Sequence, residues 1–595
     1  MMKFTRLQSL SMMRLLTFIC LIFGFSLLSV GQPREIKIQI AATADVHARL
    51  FSYDFVSNQP ASTSMANVHT VAQMLRSRNG NNLILLDNGD LIQGTPAAYY
   101  ANFVQDEKHN LFSRVMNFMK FDAATIGNHD IEAGPEVYNR LKDEFDFPWL
   151  GANVLDQETG EPYFVPYTII ERQRVRIAIL GLTTTGVPNW LPTHLWEGLA
   201  FQDMVESARY WMEYIREHED ADAIVGLFHA GMGPLDPDPS AHPLDNASGY
   251  IAKNIPGFDV IFLGHDHRRR IQTVVNVNGD EVLLLGPGHH TENLALAELT
   301  FTVTARRSFE LKNVRGDMIP TERAVPSHLY VQAFEKDVEE ILAFANEPVG
   351  RITEPMHSLD ALFGSAPFTD LVHEIQLSIT GADISFTAPL AFDETVRAGT
   401  LRWRDFFKLY EYENYLYTME LTGREIMDYL EFSYDLWFNQ MQDEHDNLLH
   451  MHRDALGRVP SDRRGRQALR NPAFNFDSAA GIRYTVDVSK GAGERIQIRG
   501  MEDGSPFDPD VTYKVAINSY RGSGGGGHLT QGAGIPHEKL GERILHTTNT
   551  DLRTKMVEYF REVGTFIPEK RNNWQLIPEE WAEQGRINDM PYLRP

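Results

Sequence analysis

The sequence predicts an α/β protein of two large domains, and three observations lead to this prediction. The chain has 595 residues, which is more than one hydrophobic core usually serves. Its composition, 43% hydrophobic and 23% charged, is that of a folded globular protein and excludes disordered and fibrous classes. In the first half, short apolar strand-like runs alternate with helix-like runs, which is the pattern of a sheet covered by helices.

The first 31 residues have the pattern of an export signal. Three basic side chains precede an apolar run at 15–30, and Ser29 and Gly31 supply the small residues of a cleavage site. The alternative is an uncleaved membrane anchor, but the run is shorter than the roughly 20 residues that span a bilayer. We therefore expect a periplasmic or secreted protein, cleaved near Gly31, with no stable insertion in a membrane.

Cysteine use and net charge narrow the class of protein further. The single cysteine, Cys20, lies in the apolar run, so we expect a mature chain without disulfides. The formal net charge of −25 argues against a nucleic-acid polymer as the main partner. If the substrate is a phosphate anion, local groups must reverse the negative field.

The predicted strands of the first domain share one format, an apolar run that ends in Gly, His or Asp. These runs are IKIQIAAT, NLILLDNGD, RVRIAILGL, ADAIVGLFHAG and DVIFLGHDH. Helical patterns such as VHTVAQMLRSR lie between them. We expect a sheet whose loops gather at one edge.

A change of pattern near residue 347 predicts the domain boundary. Helical spacing with an acidic exposed face is broken there by EPVGRITEP, which holds two prolines and a glycine. We therefore predict a first domain at 32–326, a linker helix at 327–347 and a second domain at 348–595. The second domain contains a glycine tract, NSYRGSGGGGHL, and a polar insert around 440–470 that we predict to be a surface excursion.

Side chains with metal-ligand chemistry end five of the predicted strands. They are Asp45 and His47 in TADVHA, Asp90 in DNGDLIQG, Asn128 and His129 in GNHD, His229 in FHAG, and His265 and His267 in GHDH. Carboxylate, amide and imidazole ligands suit Zn, Mn or Co, and the lack of any cysteine besides Cys20 excludes an iron–sulfur site. Each motif alone is more often a turn or a cap, so the evidence lies in the set. Two adjacent metals need a shared carboxylate, and Asp90 is the natural bridge.

The order DxH, GDxxQG, GNHD, His and GHxH resembles the calcineurin-like metallophosphoesterase superfamily. Together with NSYRGSGGGGH, it is similar to the exported 5′-nucleotidase and 2′,3′-cyclic-nucleotide 2′-phosphodiesterase/3′-nucleotidase family. The resemblance covers nearly the whole mature chain. It implies a four-layer metallophosphoesterase fold, in which a β-sandwich is flanked by helices, followed by a second α/β domain for substrate specificity, with a dinuclear site between the domains.

The resemblance also implies two divalent metal ions and assigns their ligands. One metal would take Asp45, His47, Asp90 and His267, and the other would take Asp90, Asn128, His229 and His265. Some relatives carry Gln at the position of His267. The metal identity therefore stays open among Zn, Mn and Co.

The histidine of GNHD has a different expected role. His129 cannot reach the metal of Asn128 from the neighbouring position, so we expect it to face the substrate phosphate and assist the leaving oxygen. Such a role requires a carboxylate that orients its other ring nitrogen. Many relatives read Asn-His-Glu-Phe-Asp, and the position of that Asp is Glu132 here. Asp130 is the competing orienting residue, with an Asx-type turn contact as its alternative.

The second domain is expected to recognise the nucleobase. In the family, two aromatic side chains stack on the base, and the matching positions are Tyr520 together with Phe474 or Phe476. One of the two phenylalanines is expected to be a core residue instead. The glycine tract is either a flexible loop or a close approach of the backbone to the ligand, and the neighbouring Arg521 favours the second interpretation.

Two departures from relatives that act on 5′-nucleotides bear on the substrate. Gly526 stands where those relatives often carry Asp, and TAPLAF at 387–392 replaces a glycine-rich stretch that ends in Arg. Both departures favour a 2′,3′-cyclic-nucleotide 2′-phosphodiesterase/3′-nucleotidase. The alternatives are a 5′-nucleotidase or UDP-sugar hydrolase and, less favoured, a non-catalytic binding protein. We expect a monomer that takes a nucleotide substrate, and we expect the histidines of GPGHHTE to be solvated.

Overall fold

The computed structural model of the chain describes residues 34–105, 107–237, 244–305, 308–460 and 468–594, so the export signal predicted at 1–31 lies outside the described part. The described residues contain no helix that is both long and apolar enough to cross a membrane. They fold into two α/β domains, which confirms the predicted fold class.

Two six-stranded sheets form the first domain, and each combines parallel inner strands with an antiparallel edge. In spatial order, the first sheet contains Ser308–Pro320, Asn293–Ala305, Glu35–Thr43, Leu83–Asp87, Ala123–Thr125 and Trp149–Leu150. The second sheet contains Arg269–Val275, Glu281–Pro287, Val260–Leu263, Ala223–His229, Val175–Thr183 and Tyr167–Arg172. Glu35–Thr43, Leu83–Asp87 and Ala123–Thr125 run parallel in the first sheet, as do Val175–Thr183, Ala223–His229 and Val260–Leu263 in the second, so the loops that follow these strands emerge at the same edge.

The two sheets pack against each other through an aliphatic layer. In Glu35–Thr43, Ile36, Ile38 and Ile40 alternate with polar residues and face this layer, which the second sheet completes with residues such as Val225 and Phe262. Each fully buried aliphatic side chain stabilises the fold by about 1.5 to 3 kcal/mol relative to an exposed one. The sandwich therefore provides a rigid base for the loops at its edge.

Helices cover the outer faces of the sandwich and complete the four layers. They are Met65–Asn79, Pro96–Tyr99, Leu111–Met119, Asn128–Glu132 and Pro135–Glu144 on the side of the first sheet, and Met204–His218 and Ser248–Asn254 on the side of the second. Short two-strand pairs also occur, at Tyr53–Asp54 with Gln59–Pro60, Val154–Asp156 with Leu199–Phe201, and Met356–His357 with Thr395–Val396.

The segment between the domains contains two helices where the sequence predicts one. His328–Ala333 and Glu335–Ala345 are separated by Phe334, whose backbone is not helical. The buried Phe334 ring packs against Tyr330 at 4.9 Å and fills the core of the first domain. Packing of this ring, which periodicity does not reveal, accounts for the break.

The second domain is built on three smaller sheets. In spatial order, they contain Ser478–Ala480, Ile384–Thr387, Thr512–Asn518, Leu416–Thr422 and Ile544–Thr547; Ile496–Met501, Ile482–Asp487 and Trp574–Ile577; and Gly399–Arg402, Pro348–Ile352 and Thr565–Phe566. The helices are Pro367–Thr380, Trp403–Leu409, Gly423–Trp437, Ser519–Gly522, Leu552–Val563 and Glu579–Leu593.

The polar insert around 440–470 is not purely a surface excursion, so that prediction is partly wrong. Leu448 and Leu449 are fully buried in the core of the second domain, and the Leu449 amide donates to Asp589 at 2.7 Å. The two domains also contact each other directly. The Tyr99 hydroxyl lies 2.7 Å from the Thr554 hydroxyl, and its ring packs against Trp403 at 5.0 Å.

Candidate active site

The five polar motifs meet at one edge of the sandwich because each follows an inner strand. Asp45, Asp90 and Asn128 come after strands of the first sheet, whereas His229 ends a strand of the second sheet and His265 follows another. Parallel strands bring their carboxyl ends to a common edge, which is where open α/β sheets bind ligands. The predicted convergence of these motifs is therefore present in the structure.

Five of the predicted ligands have a backbone that L-residues rarely adopt. Positive φ angles occur at Asp45 (50°), His47 (45°), Asp90 (55°), His265 (70°) and His267 (57°). Hydrogen bonds hold these turns in place: the Asp45 amide donates to Gly89 and the His47 amide donates to the Asp90 carbonyl, at 3.0 and 2.9 Å. Such conformations cost about 1 to 3 kcal/mol each and concentrate at functional sites.

One cluster of potential ligands contains Asp45, His47 and His267. Nε2 of His47 lies 3.1 Å from Nε2 of His267, which is 3.5 Å from the Asp45 carboxylate. Nδ1 of His47 donates to the Gln93 side chain at 3.2 Å, which directs Nε2 toward the cluster. Burial and the neighbouring histidines lower the pKa of His267 to about 2, so its ring is in the neutral form that binds a metal.

A second cluster contains Asp90, His229 and His265, with Asn128 beside it. Nε2 of His229 lies 3.1 Å from both the Asp90 carboxylate and the Asn128 amide oxygen. Nδ1 of His229 donates to the Asn88 carbonyl at 2.7 Å and fixes the orientation of the ring. Burial opposes the charged form of His229, but the Asp90 carboxylate outweighs it and raises the pKa to about 10.

The two clusters are linked through Asp45 and His265. Both Asp45 carboxylate oxygens accept from the His265 amide, at 2.9 and 3.2 Å. Asp90 groups with the second cluster, and one of its oxygens accepts from the His129 amide at 2.9 Å. Its predicted role as the bridge between two metals stays a prediction.

The structure distinguishes between the two acids that compete to orient His129. Nδ1 of His129 contacts the Glu132 carboxylate, which is buried. Asp130 instead accepts from the backbone amides of Asp90, Leu91 and Gly127, at 3.0, 2.9 and 2.8 Å. Asp130 therefore stabilises the backbone around Asp90 and does not contact the His129 ring. We assign it a structural role in place of the expected catalytic one.

A charged, half-buried imidazole results from this arrangement. Burial lowers the pKa of His129, but the carboxylates of Asp90 and Glu132 outweigh it and raise the pKa to about 10. His129 is therefore protonated at neutral pH. Since Glu132 occupies Nδ1, Nε2 is the nitrogen that can donate to a ligand.

A cavity of about 340 Å³ lies between the two domains, next to His129. The first domain contributes Asn128, His129, Glu132, Trp190, Leu191 and His265, and the second contributes Leu390, Tyr412, Asn414, Phe474, Asn518 and Tyr520. Aromatic side chains thus face a cavity whose other wall carries the predicted catalytic and ligand residues. Its size and mixed lining are typical of small-molecule sites.

The two phenylalanines predicted for base stacking have different environments. Phe474 is half-buried and lines the cavity together with Tyr520. Phe476 is fully buried in the core and stacks on Trp437, with ring centroids 5.3 Å apart. The sequence left this choice open, and the structure favours Phe474 for a contact with ligand.

Arg521 does not face the cavity, which corrects its predicted role in substrate binding. Its guanidinium is buried and pairs with Asp477 through two contacts, at 3.0 and 2.9 Å. It also donates to the carbonyls of Phe474 and Gly525, both at 2.8 Å. Arg521 therefore links the glycine tract to the segment around Phe474 by hydrogen bonds and stabilises the relative position of these two segments.

The glycine tract has a structural requirement at Gly526. Its φ is +72°, and a Cβ there would lie 2.1 Å from the Arg521 guanidinium. His528 is buried, and its two ring nitrogens lie 3.1 and 3.0 Å from the carbonyl oxygens of Gly526 and Asn475. Close packing around Arg521, and not contact with ligand, explains the glycine at this position.

Several residues at the site were not predicted from the sequence. Trp190 stacks on His265 with ring centroids 5.4 Å apart, and Asp245 lies 3.5 Å from Nε2 of His265. His289 stacks on His267 at 4.9 Å and is half-buried, so it lies beside the first cluster, and the expectation that it is solvated stays a prediction. Trp190 and Asp245 lie on loops without periodic patterns, whereas GPGHHTE carried a signal in its paired histidines.

Comparisons with known proteins agree with this architecture. Residues 38–269 match the family described as calcineurin-like phosphoesterase, and residues 348–532 match the 5′-nucleotidase C-terminal domain. The trifunctional nucleotide phosphoesterase protein of Bacillus subtilis is 28% identical over 91% of this chain, which spans only 39% of that protein. The 2′,3′-cyclic-nucleotide 2′-phosphodiesterase/3′-nucleotidase of Yersinia enterocolitica is 25% identical over 92% of this chain and 89% of that protein.

A solved structure shows the same fold. The 5′-nucleotidase precursor of Thermus thermophilus superimposes with a TM-score of 0.61, covering 91% of this chain and all of the other, at 20% identity.

Proposed function

We propose that this chain, which belongs to the family that joins a calcineurin-like phosphoesterase domain to a 5′-nucleotidase C-terminal domain, is a hydrolase of the 2′,3′-cyclic-nucleotide 2′-phosphodiesterase/3′-nucleotidase type. One observation carries the proposal: two clusters of ligand side chains lie beside His129 and Glu132 at the mouth of a cavity with aromatic walls. The phosphate of a nucleotide would then bind at the ligand clusters, and its base would bind in the neighbouring aromatic cavity.

The donor atoms of the two clusters fit two divalent cations. Carboxylate oxygens and imidazole nitrogens are the ligands of Zn, Mn and Co, and the rings of His47 and His229 are oriented by hydrogen bonds from their second nitrogen. The residues that would hold the ions are Asp45, His47, Asp90, Asn128, His229, His265 and His267. When bound, such ions neutralise the phosphate charge and activate water.

The chain itself supplies the proton for the leaving oxygen. The carboxylates of Asp90 and Glu132 raise the pKa of His129, and Glu132 fixes its ring through Nδ1, so Nε2 is presented as the donor. As an oxygen from water forms the new P–O bond, the ribose oxygen that leaves the phosphorus accepts this proton and becomes a hydroxyl. The proton that the water releases then restores His129. Because Glu132 is buried, its carboxylate holds the ring in one orientation throughout.

The second domain positions the nucleoside. Phe474 and Tyr520 present aromatic faces to the cavity, and stacking on a base tolerates every base because each has a π-face. No Arg or Lys occurs among the described residues that line the cavity, and Leu390 of TAPLAF lies there. The lack of an Arg or Lys from the second domain among these residues favours cyclic and 3′ substrates over 5′-nucleotides, in line with the departure at TAPLAF.

We also propose that the protein is exported, on the basis of the pattern at 1–31, and acts as a monomer in nucleotide scavenging. Export is testable by fractionating cells and determining the amino terminus of the mature protein, which we expect near residue 32. A full-length amino terminus in the membrane fraction would contradict it.

A substrate panel on metal-reconstituted protein tests the proposed activity. It compares a 2′,3′-cyclic nucleotide, a 3′-nucleotide, a 5′-nucleotide and a UDP-sugar with a small aryl phosphate. We expect the highest kcat/KM for the cyclic and 3′ substrates. Preference for the 5′-nucleotide or the UDP-sugar would favour the alternative activity, and no turnover of any substrate would favour a binding protein.

A further inference from the structure

A second polar cavity lies on the outer face of a small sheet in the second domain, formed by Ile496–Met501, Ile482–Asp487 and Trp574–Ile577. The inner face of this sheet, including Tyr484 and Trp574, is buried in the domain core. The cavity of about 430 Å³ is lined by Arg483, Thr485, Arg499, Glu502, Arg571 and Asn573, among others. None of its described lining residues belongs to the catalytic cavity.

A β-bulge places one of the arginines at this cavity. Arg483 pairs with Gly500 and Tyr484 pairs with Ile498, so Arg499 is the extra residue on its strand. Gly500, with φ of +144°, permits the irregular backbone. Bulges redirect a side chain out of the regular alternation, and here the redirected side chain is a guanidinium.

Two of the three arginines at the cavity form no ion pair within the described part of the chain, whereas Arg571 lies near the carboxylates of Glu502, Asp370 and Glu374. Glu502 is the carboxylate among the described lining residues, and it is already paired with Arg571 at 2.7 Å. Arg483 donates to the Glu502 carbonyl at 3.1 Å, and neither Arg483 nor Arg499 forms an ion pair within the described part of the chain. In a protein with a net charge of −25, this leaves two guanidinium groups facing solvent on one side of the sheet.

Two buried polar atoms at the same cavity have no partner among the described residues. They are the Thr485 hydroxyl oxygen and Oδ1 of Asn573, in residues that are only 2% and 6% exposed. The amide nitrogen of Asn573 is occupied, because it donates to the carbonyls of Ala479 and Ile482 at 2.7 and 2.9 Å. Unsatisfied buried groups are costly, so a hydrogen bond to a ligand or to ordered solvent in the cavity would stabilise both atoms.

We propose that this cavity is a second binding site for a phosphate group, separate from catalysis. Guanidinium groups recognise phosphate oxygens through paired N–H donors, and the Thr485 hydroxyl adds a further donor. Oδ1 of Asn573 accepts only from a group that carries a hydrogen, such as the P–OH of hydrogenphosphate or a hydroxyl of a phosphorylated sugar. The site therefore distinguishes hydrogenphosphate from sulfate, which has no O–H at neutral pH.

Equilibrium dialysis of the full-length, metal-loaded protein with radiolabelled inorganic phosphate tests the proposal. The double variant Arg483→Ala/Arg499→Ala should bind one phosphate fewer per chain than the wild type, with unchanged kcat on an aryl phosphate. Arg424→Ala, an exposed arginine elsewhere in the domain, is the matched control and should bind as the wild type does. Equal phosphate binding by the double variant, or an equal loss in the control, would overturn the proposal.

A milder variant and two further ligands sharpen the test. Thr485→Val keeps the side-chain volume and should weaken phosphate binding at this site by about two- to tenfold, the effect of one hydrogen bond. Sulfate should compete poorly, and competition as strong as that of phosphate would contradict the role of Asn573. A nucleoside phosphonate, which the enzyme cannot hydrolyse, identifies a nucleotide as the ligand if it competes better than phosphate, and free phosphate if it does not.

Discussion

Phe474 and Phe476 have different environments, so replacing each of them with alanine should affect a different property of the protein. Phe474 lines the catalytic cavity, whereas Phe476 is fully buried and stacks on Trp437. We expect Phe474→Ala to weaken nucleotide binding and Phe476→Ala to destabilise the second domain.

The expected magnitudes differ in kind. A base that stacks on an aromatic ring gains about 1 to 3 kcal/mol, so KM for a nucleotide should rise roughly 5- to 150-fold in Phe474→Ala, and similarly in Tyr520→Ala. Removing the Phe476 ring leaves a cavity in a packed core, which costs about 3 to 5 kcal/mol of unfolding free energy. The KM of Phe476→Ala for the nucleotide, measured on the folded fraction of the protein, should change little.

The assay measures kcat and KM for a 3′-nucleotide and for a small aryl phosphate, together with urea unfolding of each variant. The aryl phosphate does not reach the aromatic wall, so Phe474→Ala should leave its KM nearly unchanged. The reasoning fails if Phe476→Ala raises the nucleotide KM while Phe474→Ala does not. Equal losses on both substrates would make the aromatic pair structural.

Three further predictions concern the metal clusters, the proton donor and the anchoring ion pair. Asp90→Asn should abolish hydrolysis of aryl phosphate without loss of fold, and near-normal activity with two bound metals would refute the dinuclear site. His129→Ala should lower kcat by roughly 10²-fold or more while metal content, measured in parallel, stays constant; a lost metal would make it a ligand. Asp477→Asn leaves the buried Arg521 unpaired and should reduce the unfolding free energy by about 3 to 5 kcal/mol in urea titrations. Burial opposes ionisation of Asp477 but Arg521 lowers its pKa, so this stability is present above the carboxyl's unfolded pKa and should be lost as the pH falls through the folded one.

The convergence of the ligand motifs was predictable because it depends on local sequence and on one topological rule. Strands that end in Asp, Asn or His predict a shared edge once the strands are parallel, and the structure brings Asp45, Asp90 and His229 together in this way. Glu132 was expected as the orienting acid only from the position of an Asp in relatives, with Asp130 as its competitor, and the contact of Glu132 with the His129 ring within a short helix favours Glu132.

Other features depend on packing between distant segments and left no local signal. Phe474 and Phe476 flank Asn475 in a short 3₁₀ turn, so the two-residue periodicity of a strand does not apply to them. The burial of Arg521 depends on Asp477, which lies 44 positions earlier. Trp190 reaches the site on an irregular loop whose sequence carries no ligand motif.

Each metal cluster is divided between the two sheets of the sandwich. Asp45 and His47 follow a strand of the first sheet while His267 follows a strand of the second, and the other cluster likewise joins Asp90 to His229. Neither half of the sandwich holds a complete set of ligands by itself. During refolding, hydrolytic activity should therefore return only after the aliphatic layer between the sheets has formed, so a partly folded chain is unable to act on the nucleotides around it.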